Sequence, residues 1–342
     1  MSSESLALIE KIAARHGVET GQVATSISKA EAAVAALRSY LKAEFPVEEV
    51  PGFEVVVIGS IAKGTCTAGS DVDFFGLYEV ELPAGLSDRI MRAVLDHAAA
   101  LGFGKPYAGG PCGTSIARSQ VESVSIRDDV LRVFSQMNLA MASVSLYRPE
   151  VRARALRNLV STFVGRDRRP RVRGIVDHMV RLRRWGNIFA ELRLDDRASD
   201  DGGLVNWSKS ITLYRVEYAA SLAAMLRAEL AAEGRSRDEL LDQVIARLDR
   251  MPLLRLLEWY DDVGPAGRES LATVVAVVDD CLRTFGAEGV RARLVASADD
   301  EPTRDLRRHL EEQARRLYAA VLQLFHREPL FRSFTEDIGL LC

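Results

Sequence analysis

The sequence predicts an α+β protein: a small mixed sheet with flanking helices, preceded by a helical N-terminal arm and followed by a larger all-α C-terminal domain. Three observations carry this reading. Two strand-like runs, FEVVVI at 53–58 and DVDFFGLY at 71–78, flank a connection rich in Gly, Ser and Thr. Apolar residues ahead of Pro46 and beyond Asp128 recur at helical spacing. At 342 residues and 48% hydrophobic composition, the chain can bury more than one core.

Taken in order, residues 3–46 read as two helices, with Leu8, Ile9 and Ile12 on one and Val23, Ile27, Val34 and Leu37 on the other. Pro46, Pro51 and Gly52 end that run. The two strands follow. After Pro83 and Gly85, residues 87–101 return to helical spacing, with Ile90, Val94 and Leu95 on one face and Ser87 as the N-cap. Residues 102–116 form a long loop ending in a short strand. Helices are then predicted at 129–142, 150–164, 172–192, 207–232, 236–249, 268–285 and 303–327. The expected domains are 1–50, 51–145 and 146–342, with the clearest linker candidate at RDRRPRVRG, residues 166–174.

Bulk properties exclude several classes. A net charge of -3 and a pI near 6.1 give no overall cationic field, so any polyanion site is local. Cys66, Cys112, Cys281 and Cys342 form no C-x-x-C pair, which speaks against a zinc site or a disulfide framework and for a reducing compartment. No signal-like N-terminus and no long apolar run is present, so a cytoplasmic location without a membrane partner is expected. His16, His97, His178, His309 and His326 share no ligand spacing, and no Walker A, G-x-S-x-G or G-x-G-x-x-G context appears.

The chemistry concentrates in VIGSIAKGT (57–65) and GSDVDFF (69–75). Alternate residues of a strand share a face, so Asp71 and Asp73 point together while Val72 and Phe74 face the core. Two converging carboxylates suit a shared hard cation, Mg2+ or Mn2+, that takes further oxygens from a phosphate. Gly59 lets backbone N–H groups approach an anion, and the Ser60 hydroxyl can donate to it. The plain alternative is a tight turn beside a solvent-facing strand whose acids deter edge pairing.

The string G-S, ten residues, then D-V-D between two strands resembles the nucleotidyltransferase signature of the DNA polymerase β superfamily. That superfamily includes CCA-adding enzymes, oligoadenylate synthases, aminoglycoside nucleotidyltransferases and the uridylyltransferase of the PII signalling protein. The segment 143–160 faintly resembles bacterial relatives of the last group. The resemblance implies metal binding by Asp71 and Asp73. It also implies a nucleoside triphosphate held at Gly59 and Ser60, with Lys63, Gly64, Thr65 and Ser70 in the same cradle. A basic residue and an aromatic from the helical domain, Lys209 and Tyr214, would assist; solvated and core roles are the alternatives.

One departure stands out. The family places a third carboxylate on a following strand, where it can serve as general base. The corresponding stretch reads CGTSIARSQVES, with Thr114 and Ser115 where an acid is expected and Glu122 the nearest carboxylate; Asp128 and Asp129 read as helix caps. Two functions therefore stay open. One is a nucleotidyltransferase moving a nucleoside monophosphate to a hydroxyl on a protein, small molecule or RNA end. The other is a catalytically silent nucleotide-binding regulatory module of the same fold. The cluster Arg166, Arg168, Arg169, Arg171 and Arg173, continued by Arg181, Arg183 and Arg184, would suit a nucleic-acid acceptor. That acceptor is the less favoured reading, since no aromatic residues are interleaved for stacking.

Overall fold

The computed structural model describes residues 3–83, 85–106, 112–123, 130–164, 172, 174–176, 178–179, 208–209, 211–296 and 300–332. The chain forms two compact units, one of residues 27–179 and 227–251, the other of residues 1–26, 180–226 and 252–342.

The first unit holds the sheet. Its strands β1 (Phe53–Ile58), β2 (Asp73–Tyr78), β3 (Ser115–Ala117) and β4 (Val144–Ser145) lie in the order β3-β2-β1-β4. β1 pairs antiparallel with β2, Phe53 opposite Tyr78 and Ile58 opposite Asp73, and with β4 on its other side; β2 pairs parallel with β3. All six residues of β1 are buried. That is why its sequence runs almost continuously apolar and does not alternate.

On one face, Val55, Val57, Val72 and Phe74 pack with Ala30, Ala33, Val34, Leu37 and Leu41 of helix α2 (Gly21–Glu44). Ile90, Met91, Val94 and Ala98 complete that core from helix α4 (Leu86–Ala100). α6 (Val130–Met141) and α7 (Pro149–Phe163) pack on β1.

One polar side chain interrupts β1. Glu54 is 0% exposed. Its Oε1 accepts from the Leu146 and Tyr147 backbone N–H groups at 2.9 Å, and its Oε2 accepts from Ser145 Oγ at 2.7 Å and Arg148 N at 2.5 Å. Burial pushes this carboxyl above the ordinary glutamate value, and the hydrogen bonds pull the other way. The side chain thus rivets β1 to the turn that starts α7.

The α+β reading holds, with local corrections. Helix α4 starts at Leu86 behind a left-handed Gly85, φ 77°, so Ser87 is not its N-cap. Ser87 Oγ instead shares a 2.7 Å hydrogen bond with Ser115 Oγ on β3. β2 begins at Asp73, and Asp71 makes an isolated parallel bridge to Gly104. β4, two residues long, carries too little pattern to be read from sequence. Residues 118–122 form a short helix, α5 (Arg118–Glu122). The basic cluster from Arg166 to Arg184 falls outside the described residues, as do Asp128 and Asp129.

The second unit is helical where described, with α1 (Ser3–His16) and the long helices Pro265–Gly286 and Glu301–Arg327 among its elements. Asp279, 1% exposed, accepts from the Gln22 and Val23 N–H groups at 2.8 and 3.0 Å. No described helix is long and apolar enough to cross a membrane.

Candidate functional site

The site is built where β1 ends. Gly59 turns the chain with φ 64°, a conformation that favours glycine, and opens the five-residue helix α3 (Gly59–Lys63). A Cβ on Gly59 would lie 2.9 Å from Asp73 Cβ and 3.0 Å from Asp73 Cγ, and closer still to Oδ2. Two independent reasons therefore fix glycine here: the backbone conformation and the carboxylate against it.

The same contact joins the two halves of the motif. The Gly59 turn and the Asp73 carboxylate touch because Ile58 and Asp73 are register partners. The first N–H groups of a helix have no intrahelical acceptor. Ser60 Oγ, beside them, is buried without a hydrogen-bond partner of ordinary geometry. Such a hydroxyl is costly to bury unless something accepts or donates to it.

The rest of the loop is pinned by itself. Thr65 N–H donates to Ser60 O at 2.9 Å, and Gly64 caps α3 in the left-handed region, φ 68°. A Cβ on Gly64 would meet Met251 Sδ at 2.7 Å and Ile27 Cγ1 at 3.1 Å, which accounts for this glycine by packing. Lys63 closes the helix with its side chain 9% exposed. Ser70 Oγ accepts from Thr67 N–H at 2.9 Å, and Ser70 N–H donates to Thr67 O at 3.2 Å.

Asp71 and Asp73 are half-buried, while Val72 and Phe74, 1% and 0% exposed, point into the core. Two thiols lie in the field of the acids. Cys112 Sγ donates to Asp73 Oδ1 at 3.3 Å, and its pKa is raised by burial first and then by Asp73 and Asp71. Burial pushes the Cys66 thiol up to about 11, with Ser60 and Lys29 opposing the rise and Asp71 adding to it.

Gly59 and Asp73 are thus gathered, with Ser60 and Asp71 adjoining them in the chain. Glu122 is not. It pairs with Arg118 at 3.1 Å and accepts from Asn158 Nδ2 at 3.0 Å. Arg118 in turn donates to Glu79 at 2.6 Å, six residues beyond Asp73 along the strand and so roughly 20 Å away. Lys209 and Tyr214 belong to the other compact unit, both half-buried, Tyr214 on the helix Leu213–Ala231.

Sequence reasoning missed Cys112. Nothing in CGTS marks it; the parallel pairing of β3 with β2, continued by Gly113 N–H donating to Phe74 O at 2.8 Å, puts it beside Asp73.

Among the described residues, no group of three or more His, Cys, Asp or Glu is arranged to hold a metal. The donor set is the pair Asp71 and Asp73. That fits magnesium, which binds through one or two carboxylates and fills its remaining positions with water and substrate phosphate.

Residues 35–102 match the family model described as a nucleotidyltransferase domain. The matched segment contains α3, both acids and the turn between β1 and α3. No curated protein and no solved structure matches the chain.

Proposed function

We propose that the chain, whose residues 35–102 match the nucleotidyltransferase domain model, moves a nucleoside monophosphate from a nucleoside triphosphate to an acceptor hydroxyl. The acceptor oxygen forms a bond to the α-phosphorus, the bond from that phosphorus to the β-phosphate oxygen breaks, and pyrophosphate leaves. The hydroxyl proton goes to solvent or to the departing pyrophosphate.

The observation that carries this reading is the contact between Gly59 and Asp73, which makes the phosphate turn and the acid pair one site. Asp71 and Asp73 would hold Mg2+ or Mn2+, which when bound would supply neutralisation of the charge that builds on the phosphates. The Ser60 hydroxyl donates to a phosphate oxygen and so gains the partner its buried position calls for. The N–H groups at the start of α3 face the same anion. Val72 and Phe74, anchored in the core, hold the carboxylates in place without an induced change.

A second reading has its own support. Glu122 is committed to Arg118 and Asn158, and no third acid joins the pair among the described residues. That favours a module that binds triphosphate without turning it over.

Transfer of label from α-labelled triphosphates to candidate protein, small-molecule and RNA acceptors separates the two. The enzyme reading expects labelled product that is lost in Asp71→Asn and Asp73→Asn while the melting temperature holds. Triphosphate binding with no product over the whole acceptor panel selects the silent module. Product formation at the wild-type rate in both variants overturns the site.

A further inference from the structure

Lys29 stands on α2, ahead of the segment matched by the family model, and belongs to none of the motifs. It is one of only six lysines, with Lys11, Lys42, Lys63, Lys105 and Lys209, in a chain whose other basic residues are arginine. Its half-buried ammonium donates to Thr67 O at 3.0 Å, the same carbonyl that accepts from Ser70 N–H at 3.2 Å. The carbonyl thus ties Lys29 to the residue just before Asp71.

The ammonium also lies 4.9 Å from the centroid of the Phe103 ring. The next residue, Gly104, donates its N–H to Ser70 O at 3.0 Å and accepts from Val72 N–H at 3.1 Å. Lys29 therefore touches both segments that bracket Asp71, the 67–70 turn and the 103–104 segment. Its charge reaches the Cys66 thiol, which also feels Ser60 and Asp71.

We infer that Lys29 is a positioning residue for the triphosphate. It fixes the turn between the Ser60 hydroxyl and Asp71, and it supplies a positive charge at that turn that lets the site accept a polyanion. This deepens the proposed function and rests on it.

The test uses the full chain with magnesium, equilibrium binding of labelled ATP, CTP, GTP and UTP, tripolyphosphate as a base-free probe, and adenosine as an uncharged one. Lys29→Met should weaken the best-bound triphosphate and tripolyphosphate about tenfold, as expected for losing one charge-assisted contact. Adenosine binding and the melting temperature should hold. Lys29→Gln, which keeps a donor but not the charge, should fall with Lys29→Met. Should Lys29→Met fold poorly, Lys29→Gln carries the reading. The inference is overturned if either neutral variant binds tripolyphosphate as the wild type does, or if adenosine and tripolyphosphate weaken alike. A wild-type chain that binds no triphosphate sinks the proposed function instead, a distinct result.

Discussion

At the Phe53 and Tyr78 end of the β1–β2 pair, carboxylates are saturated. Glu54 accepts four hydrogen bonds, and Glu79 is gripped by Nε and Nη2 of Arg154 at 2.8 and 2.7 Å and by Arg118 at 2.6 Å. At the Ile58 and Asp73 end, Asp73 meets a thiol, a weak donor, and the bare edge of a glycine. The same strands and the same chemical group serve two purposes. Where strong donors surround a carboxylate, it holds elements together; at the other end the Asp73 carboxylate lies against a glycine turn, where the proposed function puts a cation.

The largest test of that contrast is at the saturated end. Glu54→Ala leaves the Tyr147 and Arg148 N–H groups and the Ser145 hydroxyl without this acceptor, while Leu146 N–H keeps Val55 O at 2.9 Å. A loss on the order of 4 kcal/mol is expected by urea unfolding. A loss near zero would mean that the rivet between β1 and α7 is dispensable.

At the open end, Gly59→Ala should cost activity more than stability. The new methyl group would push into Asp73, and a displacement of that size lowers turnover on the order of 100-fold. Circular dichroism should show the fold intact. Undiminished transfer in a folded Gly59→Ala protein would break the link between the turn and the acid.

The smallest effect concerns Glu79. The Arg154 contact, with Arg118 and Arg148 beyond it, holds its carboxyl below the ordinary value of 4.5. A carboxyl that loses its proton more readily folded than unfolded contributes stability above 4.5, and that contribution fades as pH falls through the folded value. Glu79→Gln should therefore cost about 1 kcal/mol or less near neutral pH, since Arg154 is exposed and screened. The gap to wild type should close in the acid range. Burial shifts Glu54 the opposite way, so its ionisation weighs against the fold as pH rises above 4.5. A Glu79 gap that widens on acidification would reverse the assignment of the two ends.

Much of this molecule could be read in its order of residues. Period-two and period-3.6 patterns are local, so the helices at α2, α4, α6 and α7 and the strands β1 and β2 follow from a few neighbours each. Gly59 follows likewise from the sharp turn after a buried strand, whereas strand alternation does not fix Asp71, which lies outside β2 in an isolated bridge to Gly104. Glu54 in FEVVVI is visible as an oddity in a buried run, but its partners lie more than ninety residues away. Glu122 illustrates the opposite error: nearness in sequence suggested a third acid, and β3 running parallel to β2 carried it to the arginine end.

By itself, then, the sequence determined which segments become most of the strands and helices and where the glycine turn and the acids of the motif fall along them, because those properties depend on short-range periodicity and residue type. Only the tertiary structure decided that Gly59 abuts Asp73, that Cys112 takes the place beside it, and that Lys29 reaches the turn before Asp71. Those are contacts between elements, fixed by sheet register and core packing, and no local pattern encodes them.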